Sequence, residues 1–145
     1  MRIDSSAFGH NGKIPGKYTC DGENISPPLK FSDIPAGAGS LVLLVEDPDA
    51  PSGLFVHWVL YDIPASTSEL PENGKPPGTR GTNDFGKQSY GGPCPPSGEH
   101  RYFFKLFALD TELDLAGGKN RQDVQKAMEG HIIEQAELIG LYQRG

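Results

Sequence analysis

The sequence predicts a mainly β fold with one or two short helices. Its 145 residues include 19 glycines and 13 prolines, and such frequent turn residues fit many short strands better than a helix bundle. Several apolar runs are too short for helices and are rich in β-branched residues. Other runs alternate polar and apolar positions, as strands with one buried face do.

The first clear strand covers Ser40 to Glu46, a continuous apolar run ending in one acid. Such a run is typical of a strand buried on both faces. Pro48 and Pro51 follow, and proline ends a hydrogen-bonded ladder because it has no amide hydrogen. We therefore expect Asp47 and Asp49 on a loop at the end of a central strand.

The next strand is predicted from Phe55 to Ile63. A weaker alternation at Leu29–Phe31 predicts a short strand earlier in the chain. Period-2 alternation along the Phe55–Ile63 strand predicts one face with His57, Val59 and Tyr61 and the other with Trp58 and Leu60.

The segment from His100 to Leu109 has the strongest strand pattern in the chain. One predicted face begins with His100 and Tyr102 and continues with Phe104, Leu106 and Ala108. This face is polar at its loop end and apolar beyond it. The pattern indicates a core face that opens into a pocket at the edge of a sheet.

A helix is predicted to begin near Asn120, because asparagine is a favourable N-cap and Asp123 suits the positive end of the helix dipole. Val124, Met128 and His131 follow helical spacing, and Gly130 is a candidate helix breaker. The segment 136–142 fits either a helix or a strand, and we favour a strand.

The bulk properties predict one domain covering residues 1–145. A net charge of -6 argues against non-specific nucleic-acid binding, which needs a basic face. No apolar segment resembles a signal peptide or a membrane span, so we expect a cytoplasmic protein without stable membrane insertion. Cys20 and Cys94 are expected to be free thiols in a reducing compartment, although their pairing stays open.

A long polar stretch, residues 66–98, is rich in glycine and proline. Loops of this length inside a compact domain are usually functional or disordered, and the prolines near its end argue against simple disorder. The amides of Gly91, Gly92, Cys94, Ser97 and Gly98 could form an anion-binding nest.

The polar residues at the strand ends each have a structural interpretation as well. Asp47 and Asp49 fit turn chemistry, His57 fits a hydrogen-bonded core histidine, and Tyr102 fits a core tyrosine. His100 could be an exposed strand end. Their common position near the ends of adjacent strands nevertheless favours a shared pocket.

Four stretches of the chain resemble the phosphatidylethanolamine-binding protein family, in its short bacterial and archaeal branch. The resemblance covers nearly the whole chain in order. The stretches are Tyr18–Pro27 (YTCDGENISP), Asp47–Pro51 (DPDAP), Val56–Trp58 (VHW) and Pro95–Tyr102 (PPSGEHRY).

The resemblance implies a Greek-key architecture of two antiparallel sheets and a pocket for phosphate or phosphorylated head groups. It assigns to the pocket the polar side chains of Asp47, His57, His100 and Tyr102, a backbone donor at Cys94, and Asp49 and Pro95 as lining residues. Pro48 and Gly92 are further candidate ligand-binding residues. Family members act as binders and regulators, some of them inhibitors of kinases or serine proteases. No common enzymatic activity is implied, and we expect neither a cofactor nor a metal.

The sequence thus predicts a non-catalytic protein that binds a small anion or phosphorylated ligand. Asp47 is expected to orient one imidazole and to raise its pKa. A possible regulated partner is a kinase or serine protease, and a homodimer is a further option. The alternatives are a thiol-dependent hydrolase or transferase using Cys94 with His57 or His100, and a metal site made of the two histidines and two aspartates.

Overall fold

The computed structural model describes all 145 residues and contains nine strands and one α-helix. A single 3-10 turn covers Gly16–Tyr18. The elements in chain order are β1 Arg2–Asp4, β2 Gly12–Lys13, β3 Leu29–Ser32, β4 Ser40–Asp47, β5 Phe55–Ile63, β6 Glu69–Leu70, β7 Thr79–Arg80, β8 His100–Leu109, α1 Arg121–Met128 and β9 Ile132–Tyr142. The predicted mainly β class is therefore confirmed.

The strands form two sheets. Three short strands pair in the order β1-β3-β6, and six strands pair in the order β2-β9-β8-β4-β5-β7. All pairings are antiparallel except β2 with β9, which is parallel. Strand β8 lies between β4 and β9, so the long strands at the centre of the large sheet bring distant parts of the chain together.

The main core lies between the two sheets. Ile3, Phe31 and Leu70 of the small sheet belong to the same buried cluster as Leu43 and Phe104 of the large sheet. All eight residues of β4 are buried, as its apolar sequence predicts. The β8 residues at alternate positions from His100 to Ala108 are also buried, which confirms the predicted inward face.

Helix α1 covers part of the opposite face of the large sheet. Val124 and Met128 pack with Val42, Tyr61 and Phe107 in a second buried cluster. This arrangement makes three layers, with the small sheet and the helix on opposite sides of the large sheet. No helix in the fold has the length and apolarity needed to cross a bilayer.

The helix begins as predicted, because the Asn120 side chain accepts a hydrogen bond from the Asp123 amide. It ends at Met128, earlier than helical spacing to His131 implied. Gly130 has φ +81°, and glycine adopts this left-handed conformation without a steric penalty. His131 lies beyond the helix and bonds through Nδ1 to Asp110, while segment 136–142 belongs to β9.

Candidate functional site

A cavity of about 370 Å³ opens at the end of the large sheet where β4, β5 and β8 meet. Six of the nine residues predicted for the site line it, whereas Pro48, Asp49 and Gly92 do not. Its lining comprises Asp47, Ala50, Pro51, Ser52, Phe55, His57, Phe85, Cys94, Pro95, Pro96, His100 and Tyr102.

His57 reaches this cavity because of a β-bulge. Val45 pairs with Trp58 and the next residue, Glu46, pairs with Val56, so His57 is the extra residue on β5. Bulges redirect the side chain at which they occur. The predicted shared face of His57 and Val59 is therefore wrong: Val59 packs with the helix layer, whereas the His57 ring contacts Tyr102 at 5.3 Å between centroids.

The tautomer of His57 is set by the backbone. Its Nδ1 lies 2.7 Å from the Gly91 carbonyl oxygen, and because a carbonyl can only accept, Nδ1 carries the hydrogen. The Gly91 amide in turn donates to the His57 carbonyl over 3.0 Å. Nε2 is thus the ring nitrogen that His57 can offer to a ligand.

Burial lowers the pKa of His57, and this effect outweighs the opposing contributions of the Gly91 carbonyl and the Asp47 charge. The side chain is enclosed by the edges of Phe55 and Phe85. Desolvation disfavours the cationic imidazole. Asp47 thus raises the pKa of His57, as expected for one imidazole, but the lowering by burial is larger, so the fold favours the neutral imidazole at this position.

His100 is the imidazole that Asp47 orients. His100 Nδ1 donates to Asp47 Oδ2 over 2.7 Å, and both residues are buried. The other oxygen, Asp47 Oδ1, accepts the Asp49 amide at 2.8 Å. Because both carboxylate oxygens have partners inside the protein, Asp47 positions His100, and Nε2 of His100 is the nitrogen available to a ligand.

Tyr102 is 1% exposed, and its hydroxyl forms no hydrogen bond with the protein. Its ring packs between the two imidazoles, at 5.3 Å from His57 and 6.5 Å from His100 between centroids. Burial, followed by the charges of Asp47 and Asp49, raises the pKa of Tyr102. The hydroxyl therefore keeps its proton and is a donor within the cavity.

Asp49 does not belong to the cavity. Its carboxylate binds Arg101 through both oxygens, at 2.9 Å from Nε and from Nη2, and also accepts the Arg101 amide. These bonds to Arg101 lower the pKa of Asp49 to about 2. The pair fastens the Asp47–Asp49 turn to β8, which is a structural role.

The glycine-rich wall offers fewer donors than its composition indicates. The Gly91 amide donates to the His57 carbonyl oxygen, and the Gly92 amide donates to Asn24 Oδ1 over 2.8 Å. Gly92 packs so closely that a Cβ there would lie 2.2 Å from the Tyr18 carbonyl oxygen. The Cys94 amide makes no hydrogen bond within the protein, so of these three it is the donor left to a ligand.

Cys20 and Cys94 form a disulfide, and no cysteine is free. The expectation of free thiols is wrong because the fold brings together two residues separated by 74 positions. The bridge joins the cavity wall at Cys94 to the loop that carries Asn24. Disulfides occur in oxidising compartments and in intracellular proteins of hyperthermophiles, so the cysteines do not select the cytoplasm.

Several residues that shape the mouth and wall of the cavity were not predicted from the sequence. Phe55 and Phe85 line the mouth, and Phe85 is 43% exposed. Asn83 is 4% exposed and organises the 83–91 segment. Its amide donates to the carbonyls of His57 and Ser89, and its oxygen accepts the amides of Phe85 and Lys87. The tripeptide Asn83-Asp84-Phe85 before Gly86 is a turn signature that could have identified it.

The four-ligand metal alternative is not supported by this geometry. Asp49 is paired with Arg101 and Asp47 with His100. No group of three or more His, Cys, Asp or Glu side chains is arranged to hold a metal ion.

Comparison with known proteins agrees with the fold and with the order of the motifs. The family model described as phosphatidylethanolamine-binding protein matches residues 4–143. The chain belongs to the phosphatidylethanolamine-binding protein family. This membership confirms the resemblance inferred from the four sequence stretches.

Relatives in this family extend over the full chain. A UPF0098 protein of Methanothermobacter thermautotrophicus is 53% identical over 100% of both chains. The crystal structure of a putative phosphatidylethanolamine-binding protein homologue, CT736 of Chlamydia trachomatis, is 44% identical with a TM-score of 0.97, covering 99% of this chain and 97% of that one. E. coli YbcL, described as a member of the mammalian family, is 31% identical with a TM-score of 0.92, covering 99% and 98%.

Proposed function

We propose that the cavity binds a phosphate-type anion carried by a small ligand and that the protein is a non-catalytic binder. The observation that carries the proposal is the Tyr102 hydroxyl, which is buried in the lining, protonated and without a protein partner. An unpaired buried donor is costly. A ligand oxygen would supply its missing acceptor.

The two histidines give the proposed binding its pH dependence. Both Nδ1 atoms are committed, to the Gly91 carbonyl and to Asp47. A neutral Nε2 can only accept a hydrogen bond, so it can bind a phosphate that keeps a proton, or it must take up a proton itself. Binding of a fully ionised phosphate is therefore coupled to proton uptake and strengthens as the pH falls.

The expected affinity is modest. Charge-assisted hydrogen bonds contribute about 1.5–3 kcal/mol each. Three of them, from Tyr102, the Cys94 amide and one protonated histidine, give a millimolar to micromolar site after the cost of association. Such a site suits an abundant ligand or the docking of a phosphorylated partner, and regulation of a kinase or serine protease stays a prediction from the family resemblance.

The thiol enzyme alternative is not favoured. Cys94 is bonded to Cys20, and a disulfide sulfur offers no thiolate for nucleophilic attack. The other hydroxyl groups of the lining belong to Tyr102 and Ser52, and neither hydrogen-bonds to a histidine, whose Nδ1 atoms bond to Gly91 and Asp47.

The test is calorimetric titration of inorganic phosphate and phosphoethanolamine into the wild type and Tyr102→Phe. We expect Tyr102→Phe to weaken binding about 10-fold to 100-fold, the value of one hydrogen bond to a charged group. Tyr61→Phe is the matched control, because its buried hydroxyl bonds Ala116 on the opposite face of the sheet. Equal affinity in Tyr102→Phe and the wild type would contradict the proposal.

A further inference from the structure

A second cavity, of about 390 Å³, lies on the opposite face of the large sheet, between α1 and strands β4, β8 and β9. Successive side chains of a strand point to opposite faces. Accordingly Asp47 lines the first cavity and its neighbour Glu46 lines the second. The two cavities therefore share strands and have separate linings.

Glu46 is the unusual residue of the second cavity. It is fully buried, and its carboxylate contacts two cations. Arg121 Nε donates to Oε2 over 2.5 Å. Lys105 Nζ lies 2.9 Å from Oε1, although that oxygen forms no hydrogen bond of acceptable geometry. A single carboxylate thus faces two positive charges.

Hydrogen-bond donors are in surplus at this point. Arg121 carries five N–H groups and Lys105 carries three. Within the protein, Arg121 has the Oε2 atom of Glu46 as acceptor. Lys105 has the 2.9 Å contact with Oε1 and lies 5.7 Å from the centroid of the Phe103 ring. Both cations are partly buried, at 21% and 33% side-chain exposure, so water satisfies these donors less fully than on an open surface.

Five apolar and three polar residues form the rest of the lining. Leu44, Phe107 and Met128 lie on the α1 side, and Ile132 lies at the start of β9. Ile132 is 45% exposed. A molecule seated here would place hydrocarbon against these side chains and oxygen acceptors against Lys105 and Arg121.

We propose that this second cavity binds a small amphipathic carboxylate, with the carboxylate on Arg121 and Lys105 and the hydrocarbon chain on the apolar wall. The cavity has the volume of a small-molecule site, and its lining combines five apolar residues with convergent polar groups. The ion group could instead serve only to fasten α1 to the sheet. That role needs only the contact of Arg121 with Glu46, because Lys105 lies on β8 within the sheet and does not join α1 to it.

Glu137 limits the affinity of the site. It lines the cavity and pairs across the strands with Lys105, but it forms no ion pair with that residue. Its negative charge opposes a bound carboxylate. Removing this charge should therefore strengthen binding, which a purely structural ion group does not predict.

The test is titration of sodium octanoate into the protein in phosphate-saturated buffer, followed by calorimetry and by amide chemical shifts. We expect shifts at Gln125 and Gln135, which line the second cavity. Lys105→Gln should weaken binding about 10-fold, and Glu137→Gln should strengthen it about 3-fold. Neutral 1-octanol should bind at least about 10-fold more weakly than octanoate.

Lys126→Gln is the matched control, because Lys126 is exposed on the same helix and lies outside the lining. It should bind octanoate as the wild type does. Lys105→Gln is used rather than a change at Arg121 because it leaves the helix anchor in place. Octanoate affinity that is unchanged in both Lys105→Gln and Glu137→Gln, or shifts centred on Tyr102, would overturn the proposal.

Discussion

His100 and Asp47 form a buried hydrogen bond of 2.7 Å between Nδ1 and Oδ2. The pair joins the end of β4 to the start of β8. It also places one negative charge beside the proposed phosphate site, where the same charge favours a protonated His57. Asp47 therefore links the packing of the strands to the proton affinity of the site.

We expect Asp47→Asn to lower the free energy of unfolding by about 1–3 kcal/mol, because a buried acceptor loses charge and one of its two hydrogen bonds. It should also lower the pKa of His57 further, since the Asp47 charge raises it. Urea unfolding and NMR titration of the His57 ring measure the two effects. Asp49→Asn is the control and should have the smaller effect on stability, because the Asp49–Arg101 pair is exposed. A larger loss of stability in Asp49→Asn than in Asp47→Asn would contradict this assignment.

The stability of the protein should fall as the pH falls from about 7 to about 5. The unfolded chain protonates His57 near its ordinary pKa of about 6.5, whereas burial holds the folded pKa lower. The unfolded state therefore binds more protons in this range, and the folded state loses stability until the pH reaches the folded pKa. Urea unfolding of the wild type and His57→Gln checks this, with a shallower pH dependence expected for the variant. Parallel curves would show that other groups are responsible.

Phosphate should reduce this loss of stability. A bound anion favours the protonated His57, so saturating phosphate should stabilise the protein more at about pH 5.5 than at about pH 8. Thermal unfolding with and without phosphate measures the difference. Sodium chloride at equal ionic strength is the control, and an equal effect of the two salts would count against specific binding.

Reduction of the Cys20–Cys94 disulfide should lower the free energy of unfolding by about 4 kcal/mol. This is the loss of chain entropy in the unfolded state for a loop that joins residues 74 positions apart. It should also weaken phosphate binding, because Cys94 lies in the cavity wall. Urea unfolding with and without dithiothreitol measures the effect on the wild type. The double variant Cys20→Ser/Cys94→Ser should show the lower stability and no response to the reductant. A wild type that is equally stable in both conditions would refute the prediction.

Asn83→Ala should lower the free energy of unfolding by about 2–4 kcal/mol. The variant removes the four hydrogen bonds of the Asn83 side chain and leaves buried backbone groups unpaired. Phosphate affinity should fall as well, since Asn83 holds the His57 carbonyl. Urea unfolding and calorimetry provide the measurements. Gln122→Ala, at an exposed position of α1, is expected to change neither quantity, and equal effects of the two variants would contradict a special role for Asn83.

The long strands, the helix start and the inward face of β8 could be predicted from local sequence patterns. Each depends on local chemistry: the apolar run of β4, the Asn120 cap, and the alternation from His100 to Ala108. The predicted site residues include six of the twelve residues that line the first cavity. Patterns of this kind are visible because they repeat within a few residues.

The tertiary structure alone decided the chemistry of both cavities. The bulge that turns His57 toward Tyr102 depends on the register between β4 and β5, and the Cys20–Cys94 bridge joins loops 74 residues apart. The Asp49 carboxylate binds Arg101 and so does not line the first cavity. Lys105 of β8 and Arg121 of α1 both contact Glu46 of β4. The physical reason is common to all four. Desolvation and charge shift a pKa only when the groups concerned are close in space. The spacing of residues along the chain does not give the distances between strands.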